Sequence, residues 1–280
     1  MRTMIFGSSG LLGTALMRRW KGDEVTGFNS ADVDIRNGGD VLSAVRSCKP
    51  DCVVLSAAYT NVDGCESNRD LAFAVNTDGA ANVARAALKQ GAHLLFLSTD
   101  YVFDGTKMSP YEIDDAHNPQ TVYGLSKSRA ETLLQETIPQ CCIVRTSWLF
   151  GTNGRCFPDT ILKVAAQQPE IEVVNDQVGC PTSTNDLADV LIQLARQQAR
   201  GIVHVTNNGA CSWFDFAREI VRGSGMKTSV RPTSSETLSR PARRPKYSVL
   251  SSSSLGPYQI VMPSWQNALG RYLEERLCTA

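Results

Sequence analysis

The sequence predicts an α/β fold, a doubly wound parallel sheet covered by helices and followed by a smaller C-terminal α/β lobe. Three observations lead there. Short apolar runs alternate with longer helix-patterned stretches from the first residues onward. The apolar runs are continuous rather than alternating, which suits strands buried on both faces of a parallel sheet. A glycine-spaced turn, "GSSGLLG" at 7–13, falls directly between the first strand and the first helix, as in domains that bind dinucleotides.

Taken in order, "TMIF" (3–6), "EVTGF" (24–28), "CVVLSAA" (52–58) and "HLLFLST" (93–99) read as strands. The segments "LLGTALMRRW" (11–20), "DVLSAVRSC" (40–48) and "LAFAVNTDGAANVARAALKQG" (71–91) read as helices. In the last, Leu71, Val75, Ala84 and Leu88 fit one apolar face and Gly91 is a natural stop. After about residue 150 the regularity loosens: "TNGRCF" and "NDQVGCPTSTND" are loop-like, and 224–257 is rich in Ser, Arg and Pro. We expect a dinucleotide-binding Rossmann domain over 1–150, to which 184–206 returns through "DLADVLIQLARQQ" and "IVHVT". The stretches 151–183 and 207–280 then form a substrate-binding lobe.

Bulk properties narrow the function. With 280 residues, the chain can bury a sizeable core without staples. Basic and acidic residues balance at 28 each, so no global field favours nucleic acid. Nine cysteines, with no C-x-x-C and only His93, His117 and His204 to help, give no zinc pattern. They read as reduced, buried thiols in a cytoplasmic protein. "MRTMIFG" enters an apolar strand at once, which agrees, and no apolar run approaches the roughly 20 residues of a membrane helix.

The glycine turn has a physical reading. Gly7 permits a tight turn, Gly10 lets backbone N–H groups approach a pyrophosphate, and Gly13 lets the helix pack close to the sheet. The second strand runs into "GFNSAD", so Asn29 and Ser30 stand where a carboxylate would select NAD through the ribose 2′-OH. That slightly favours NADPH over NADH and leaves dual use open. Arg36 is a minor candidate for a 2′-phosphate, and Asp34 with Ile35 could frame the adenine.

Reduction of a carbonyl by hydride needs a proton for its oxygen. "TVYGLSKSRA" places Tyr123 and Lys127 one helical turn apart. An ammonium beside a phenol stabilises the phenolate and fits the tyrosine for proton transfer. Ser98 and Thr99, where the fourth strand should end, supply a hydroxyl at the usual ligand crevice of such sheets.

These motifs, in order, resemble the extended short-chain dehydrogenase/reductases and, within them, the dTDP-4-dehydrorhamnose reductase family. The resemblance covers nearly the whole chain through "GSSGLLG", "AAYTNVDGCE", "AFAVNTDGAANVA", "STDYVFDG", "PYEIDDAHNPQTVYGLSK", "VRTSWLFG", "VNDQVGCPTST" and "RPARRPKYSVL". It implies Tyr123 as proton donor, Lys127 as its modulator and ribose ligand, and Thr99 as the hydroxyl partner at the sugar carbonyl. It also implies that Gly7, Ser9, Gly10, Leu11, Leu12, Gly13, Ala57, Ala58 and Tyr59 pass along the dinucleotide. Asn76 resembles the helix asparagine that supports the active-site lysine, although bonding to backbone reads equally well. Asp100, Val102, Phe103 and Trp148 would form the sugar pocket. One or two of Arg240, Arg243 and Arg244 would meet the nucleotide diphosphate. After "YSVL" the chain continues "SSSSLG", where relatives commonly place an Asp or Asn and a lysine-bearing stretch.

The implied activity is reduction of the 4-keto group of dTDP-4-dehydro-L-rhamnose, with a nucleotide sugar as partner and a homodimer permitted. Three other readings stand beside it. A dehydratase or epimerase shares the fold, but Tyr101 replaces the dehydratase glutamate. A reductase of another nucleotide-linked 4-keto-6-deoxy sugar would carry the same motifs. A non-catalytic NADP-binding regulatory subunit, like the β subunit of methionine adenosyltransferase, keeps the fold and several motifs.

Overall fold

A computed structural model describes residues 1–277. Its first half alternates β1 (Arg2–Phe6), α1 (Leu11–Arg19), β2 (Glu24–Phe28), α2 (Gly38–Cys48), β3 (Cys52–Leu55), α3 (Val62–Ser67), α4 (Arg69–Phe73), α5 (Ala80–Gln90), β4 (His93–Thr99), α6 (Val122–Thr137) and β5 (Cys142–Thr146). Then come β6 (Leu149–Phe150), α7 (Phe157–Ala165), β7 (Glu170–Val174), β8 (Val178–Gly179), β9 (Thr182–Ser183) and α8 (Thr184–Arg196). The chain ends through β10 (Gly201–His204), β11 (Cys211–Ser212), α9 (Trp213–Gly223), β12 (Ser229–Thr233) and α10 (Trp265–Leu277).

Six strands form one parallel sheet in the order β10-β5-β4-β3-β1-β2. Its inner strands β1, β3, β4 and β5 are buried almost throughout, as their unbroken apolar runs require, while the edge strand β2 is only partly covered. One face packs on α1 and α8 through Leu12, Leu16, Leu187 and Leu191. The other packs on α2, α5 and α6 through Val41, Val45, Val83 and Leu134. The order reverses at β1, with β2 on one side and β3 on the other. That reversal opens a crevice at the carboxyl ends of these strands.

The helix expected over 71–91 is broken. A π-helical turn, Ala74–Gly79, separates α4 from α5. Wider turns shift every later side chain, so a 3.6-residue period counted from Leu71 loses its face. Leu71 and Leu88 are accordingly exposed, at 37% and 53%, while Ala80, Val83, Ala84 and Ala87 carry the packing. The same shift turns Asn76 and Thr77 inward. Gly91, at φ +72°, does close α5.

The second lobe is assembled from small pairs: β12 with β7, β11 with β8, and β6 with β9. Its own core joins α7, α9 and α10 through Ile161, Phe216, Ile220 and Leu269, with Phe150 of β6 among them. Among the described residues, no helix is long and apolar enough to cross a membrane.

Candidate active site

The glycine turn is tied down from both sides. Gly7 and Ser8 donate their N–H groups to Phe28 O at 2.8 and 3.1 Å, joining the turn to the end of β2. Gly7 lies at φ +89°, and a Cβ there would stand 2.6 Å from Ala57 N. A Cβ on Gly13 would meet Gly7 O at 2.0 Å, so α1 could not dock as it does. Gly10 differs. Its added Cβ would meet only Gly7 O, at 3.3 Å, and the residue is exposed. It caps α1 with no side-chain bond, and the first turn of α1 carries no acid. The N–H groups there are left facing the crevice with a favourable field for an anion. The turn thus fits a pyrophosphate.

A cleft of about 980 Å³ runs from this turn along the carboxyl edge of the sheet. At the turn it is lined by Ser9, Gly10, Leu11, Leu12 and Gly13, and beyond β2 by Asn29, Ser30, Asp34, Ile35 and Arg36. Asp32 accepts the Asn29 N–H at 2.9 Å, and Arg36 is held by Asp34 at 2.9 Å. Ala57 and Ala58 follow. Asn76 does not line the cleft: its Oδ1 accepts the Tyr59 N–H at 2.7 Å and its Nδ2 donates to Tyr59 O at 3.1 Å. The same amide donates to Ser126 Oγ at 2.9 Å, and Ser126 Oγ donates to Tyr123 O at 2.7 Å. Asn76 therefore locks the 57–59 segment to the helix turn that carries Tyr123 and Lys127.

Thr99, Tyr123 and Lys127 meet in the middle of the cleft. Thr121 caps α6 by accepting the Gly124 N–H at 3.0 Å, and Glu66 accepts the Val122 N–H at 2.9 Å. Gly124 lets the helix press on the preceding loop, since a Cβ there would stand 2.1 Å from Tyr101 O. Tyr123 packs edge-on to Tyr101 with centroids 5.8 Å apart. The Lys127 ammonium sits 4.0 Å from the Phe96 ring centroid.

Electrostatics sharpens the group. Burial pushes the Tyr123 phenol above its ordinary pKa, and the Thr99 hydroxyl opposes that by bonding to it. Burial lowers Lys127 to about 7, against the pull of Glu131. The phenol lowered by an adjacent ammonium is thus not what the chain's own groups produce, because loss of water outweighs attraction. Asp100 is raised to about 6 by burial, opposed first by Ser248 and then by Thr99. Thr99 donates to Asp100 Oδ1 at 3.0 Å.

Trp148, at φ +49°, stacks on Trp213 with ring centroids 3.5 Å apart and planes 4° from parallel. Both line the cleft. Gly179 makes room, since a Cβ there would stand 2.5 Å from the Trp148 ring.

Other expected sugar contacts lie elsewhere. Val102 and Phe103 are buried in a small cluster with Tyr111 and Leu250, Phe103 stacking on Tyr111 at 4.2 Å. The short 3-10 turn at Asp100–Val102 carries them away from the cleft. Arg244 grips Asp63 through two 2.6 Å bonds and, with Arg243, lines a separate cavity of about 390 Å³. Arg240 is exposed and lines neither cavity.

Several groups at the site carried no signal. Trp213 and Arg155 line the cleft from the second lobe, and neither belongs to a motif. Glu131 lies one turn beyond Lys127 and is fully buried. It accepts from Ser98 Oγ and is gripped by Arg145 at 2.8 and 3.1 Å. Arg145 also reaches His117 Nε2 at 2.6 Å and His204 Nε2 at 3.3 Å. The i, i+4 spacing of Lys127 and Glu131 was visible, but its partner Arg145 was not.

A parallel sheet with a glycine turn at its reversal point and a Thr-Tyr-Lys group at its carboxyl edge defines a Rossmann-fold protein of the short-chain dehydrogenase/reductase type. The RmlD substrate binding domain family matches residues 1–278, and the chain belongs to that family. Spore coat polysaccharide biosynthesis protein SpsK of Bacillus subtilis (strain 168) is 39% identical over 98% of both chains. A dTDP-4-dehydrorhamnose reductase of Streptomyces griseus is 43% identical over 90% of this chain and 86% of its own. The crystal structure of dTDP-4-dehydrorhamnose reductase from Bacillus anthracis str. Ames in complex with NADP matches with a TM-score of 0.96 at 38% identity. It covers 98% of this chain and 99% of that one.

Proposed function

We propose that this protein is an NAD(P)H-dependent oxidoreductase that reduces the 4-keto group of dTDP-4-dehydro-L-rhamnose to give dTDP-L-rhamnose. The observation that carries the reading is the meeting of Thr99, Tyr123 and Lys127 in a cleft that begins at the glycine turn. The names of the relatives supply the substrate.

A bound nicotinamide supplies the hydride. The residues of the chain do the rest. Tyr123 holds the proton at Oη and gives it to the carbonyl oxygen as that oxygen gains charge. Thr99 holds the same oxygen and the phenol in line. Lys127, when charged, stabilises the phenolate left behind and reaches the ribose. The stacked Trp148 and Trp213 offer an apolar wall against the sugar and keep water from it. Gly7 to Gly13, with Ala57 and Ala58, would hold the dinucleotide.

NADPH is the preferred donor in this reading, because Asn29 and Ser30, rather than a carboxylate, directly follow β2. Asp32 is engaged by Asn29, and Arg36 could turn from Asp34 to the phosphate. We assign 1–150 and 184–206 to the dinucleotide half and 151–183 and 207–280 to the substrate half. A cytoplasmic setting suits the free thiols, and a homodimer is compatible with the fold.

The test follows NADPH absorbance with dTDP-4-dehydro-L-rhamnose generated in situ. Oxidation by the parent with dTDP-rhamnose as product, and its loss in Tyr123→Phe, supports the assignment. NADPH binding without oxidation would point to another keto-sugar or to a regulatory role.

A further inference from the structure

We propose that Arg155, supplied by the second lobe, pairs with the pyrophosphate of the dinucleotide and so closes the cofactor end of the cleft. This rests on the dinucleotide reading of the glycine turn. The loop that carries Arg155 is anchored at both ends. Gly151 is buried, with a Cβ position 2.1 Å from Thr184 Oγ1, and Thr152 Oγ1 donates to Glu275 at 3.1 Å. Cys156 caps α7 and its Sγ lies 3.1 Å from Asp159 Oδ2. Between these anchors the loop touches the first lobe: a Cβ on Gly154 would stand 2.8 Å from Leu11 Cδ1 and 3.5 Å from Leu11 Cα. Leu11 is the first residue of α1, directly after Gly10.

Arg155 follows that contact and lines the same cleft as Ser9, Gly10 and Leu11. It has no hydrogen-bond or ion-pair partner among the described residues. Arg240 and Arg243 share that state, whereas Arg231 pairs with Glu170, Arg244 with Asp63 and Arg271 with Asp186. Arg155 is exposed, and a guanidinium on the same cleft as a helix N-terminus adds to its positive field and so favours an anion between them. A pyrophosphate at that turn would satisfy both, and the fork of an arginine suits it. The diphosphate of a nucleotide sugar offers the same chemistry, so the test must separate the two.

Fluorescence titrations of NADPH and of dTDP would be run on the parent, Arg155→Ala and Arg155→Lys at two salt concentrations. The proposal expects Arg155→Ala to weaken NADPH roughly tenfold, with a shallower salt dependence, and to leave dTDP unchanged. Arg155→Lys recovers part of the loss. Weakened dTDP with unchanged NADPH would assign Arg155 to the substrate and overturn the proposal. No change in either would leave a solvated charge and overturn it too. A parent that binds no dinucleotide at all would remove the cofactor reading itself, a result distinct from both.

Discussion

Ser98 and Thr99 are neighbours on one strand and belong to different worlds. Successive side chains of a strand point to opposite faces. Ser98 turns to Glu131 and Arg145, while Thr99 turns to Tyr123 and Asp100. The first cluster is closed: the guanidinium of Arg145 meets Glu131, His117, His204 and Ile113 O. The second is open: Asp100 Oδ2 is buried without a hydrogen-bond partner, and Lys127 faces an aromatic ring rather than a carboxylate. Both clusters are desolvated and each keeps one buried atom without a partner, Asp100 Oδ2 in the open one and His204 Nδ1 in the closed one. Thr99, Asp100, Tyr123 and Lys127 line the cleft, however, whereas Glu131, Arg145, His117 and His204 do not. Satisfied polar groups hold a fold together, whereas those with capacity left over on a cleft are where a ligand can be engaged.

The comparison can be broken at several points. Tyr123→Phe should lower kcat/KM by about a thousandfold while leaving the urea midpoint almost unchanged. A large stability loss with modest kinetic loss would reverse the roles of the two clusters. Arg145→Met should do the opposite, costing about 3–5 kcal/mol in urea unfolding because Glu131 is left buried and unpaired. Combining it with Glu131→Gln should return part of that loss, and a single-variant cost below about 1 kcal/mol would show that the closed cluster is not structural.

The pH dependence of stability sharpens the same contrast. Burial, aided by Arg145, lowers His204 to about 3 from 6.5. Between those values the unfolded chain binds the extra proton, so stability is full above about 6.5 and falls as pH drops toward 3. By pH 4 this amounts to roughly 3 kcal/mol. His204→Gln should flatten that part of the stability curve. Asp100 works the other way. Its folded value, about 6, lies above 3.8, so its contribution is full below 3.8 and is lost as pH rises through 6. The smallest effect concerns Lys127, which loses its charge as pH rises through about 7. Reductive kcat/KM should then fall about fivefold between pH 7 and 8. A profile flat to pH 9 would mean that the charge of Lys127 is not used.

The open cluster was legible in the sequence because its members sit at helix and strand spacings that are themselves signals. Gly7, Gly10 and Gly13 mark one turn, and Tyr123 and Lys127 mark one helix face. The closed cluster was not, since Glu131 and Arg145 come from a helix and a strand and no local pattern pairs them. Val102 and Phe103 follow Asp100 in the chain, but a 3-10 turn sends them into a separate core. Leu71 and Leu88 were assigned to a buried face by a period that the π turn interrupts. In the second lobe, β6, β8, β9 and β11 have two residues each. Strands so short have no period to read. Trp213 reaches Trp148 only through that assembly.

Gly124 separates two properties that a lineage could lose independently. The space that keeps Tyr123 beside Thr99 exists because residue 124 lacks a methyl group facing Tyr101 O. The glycine turn that would hold a dinucleotide is built from other residues on other elements. One substitution at 124 would therefore withdraw the proton donor and leave the nucleotide seat intact. A descendant of this fold could pass from catalyst to nucleotide sensor in a single step, with nothing in its glycine signature to record the change.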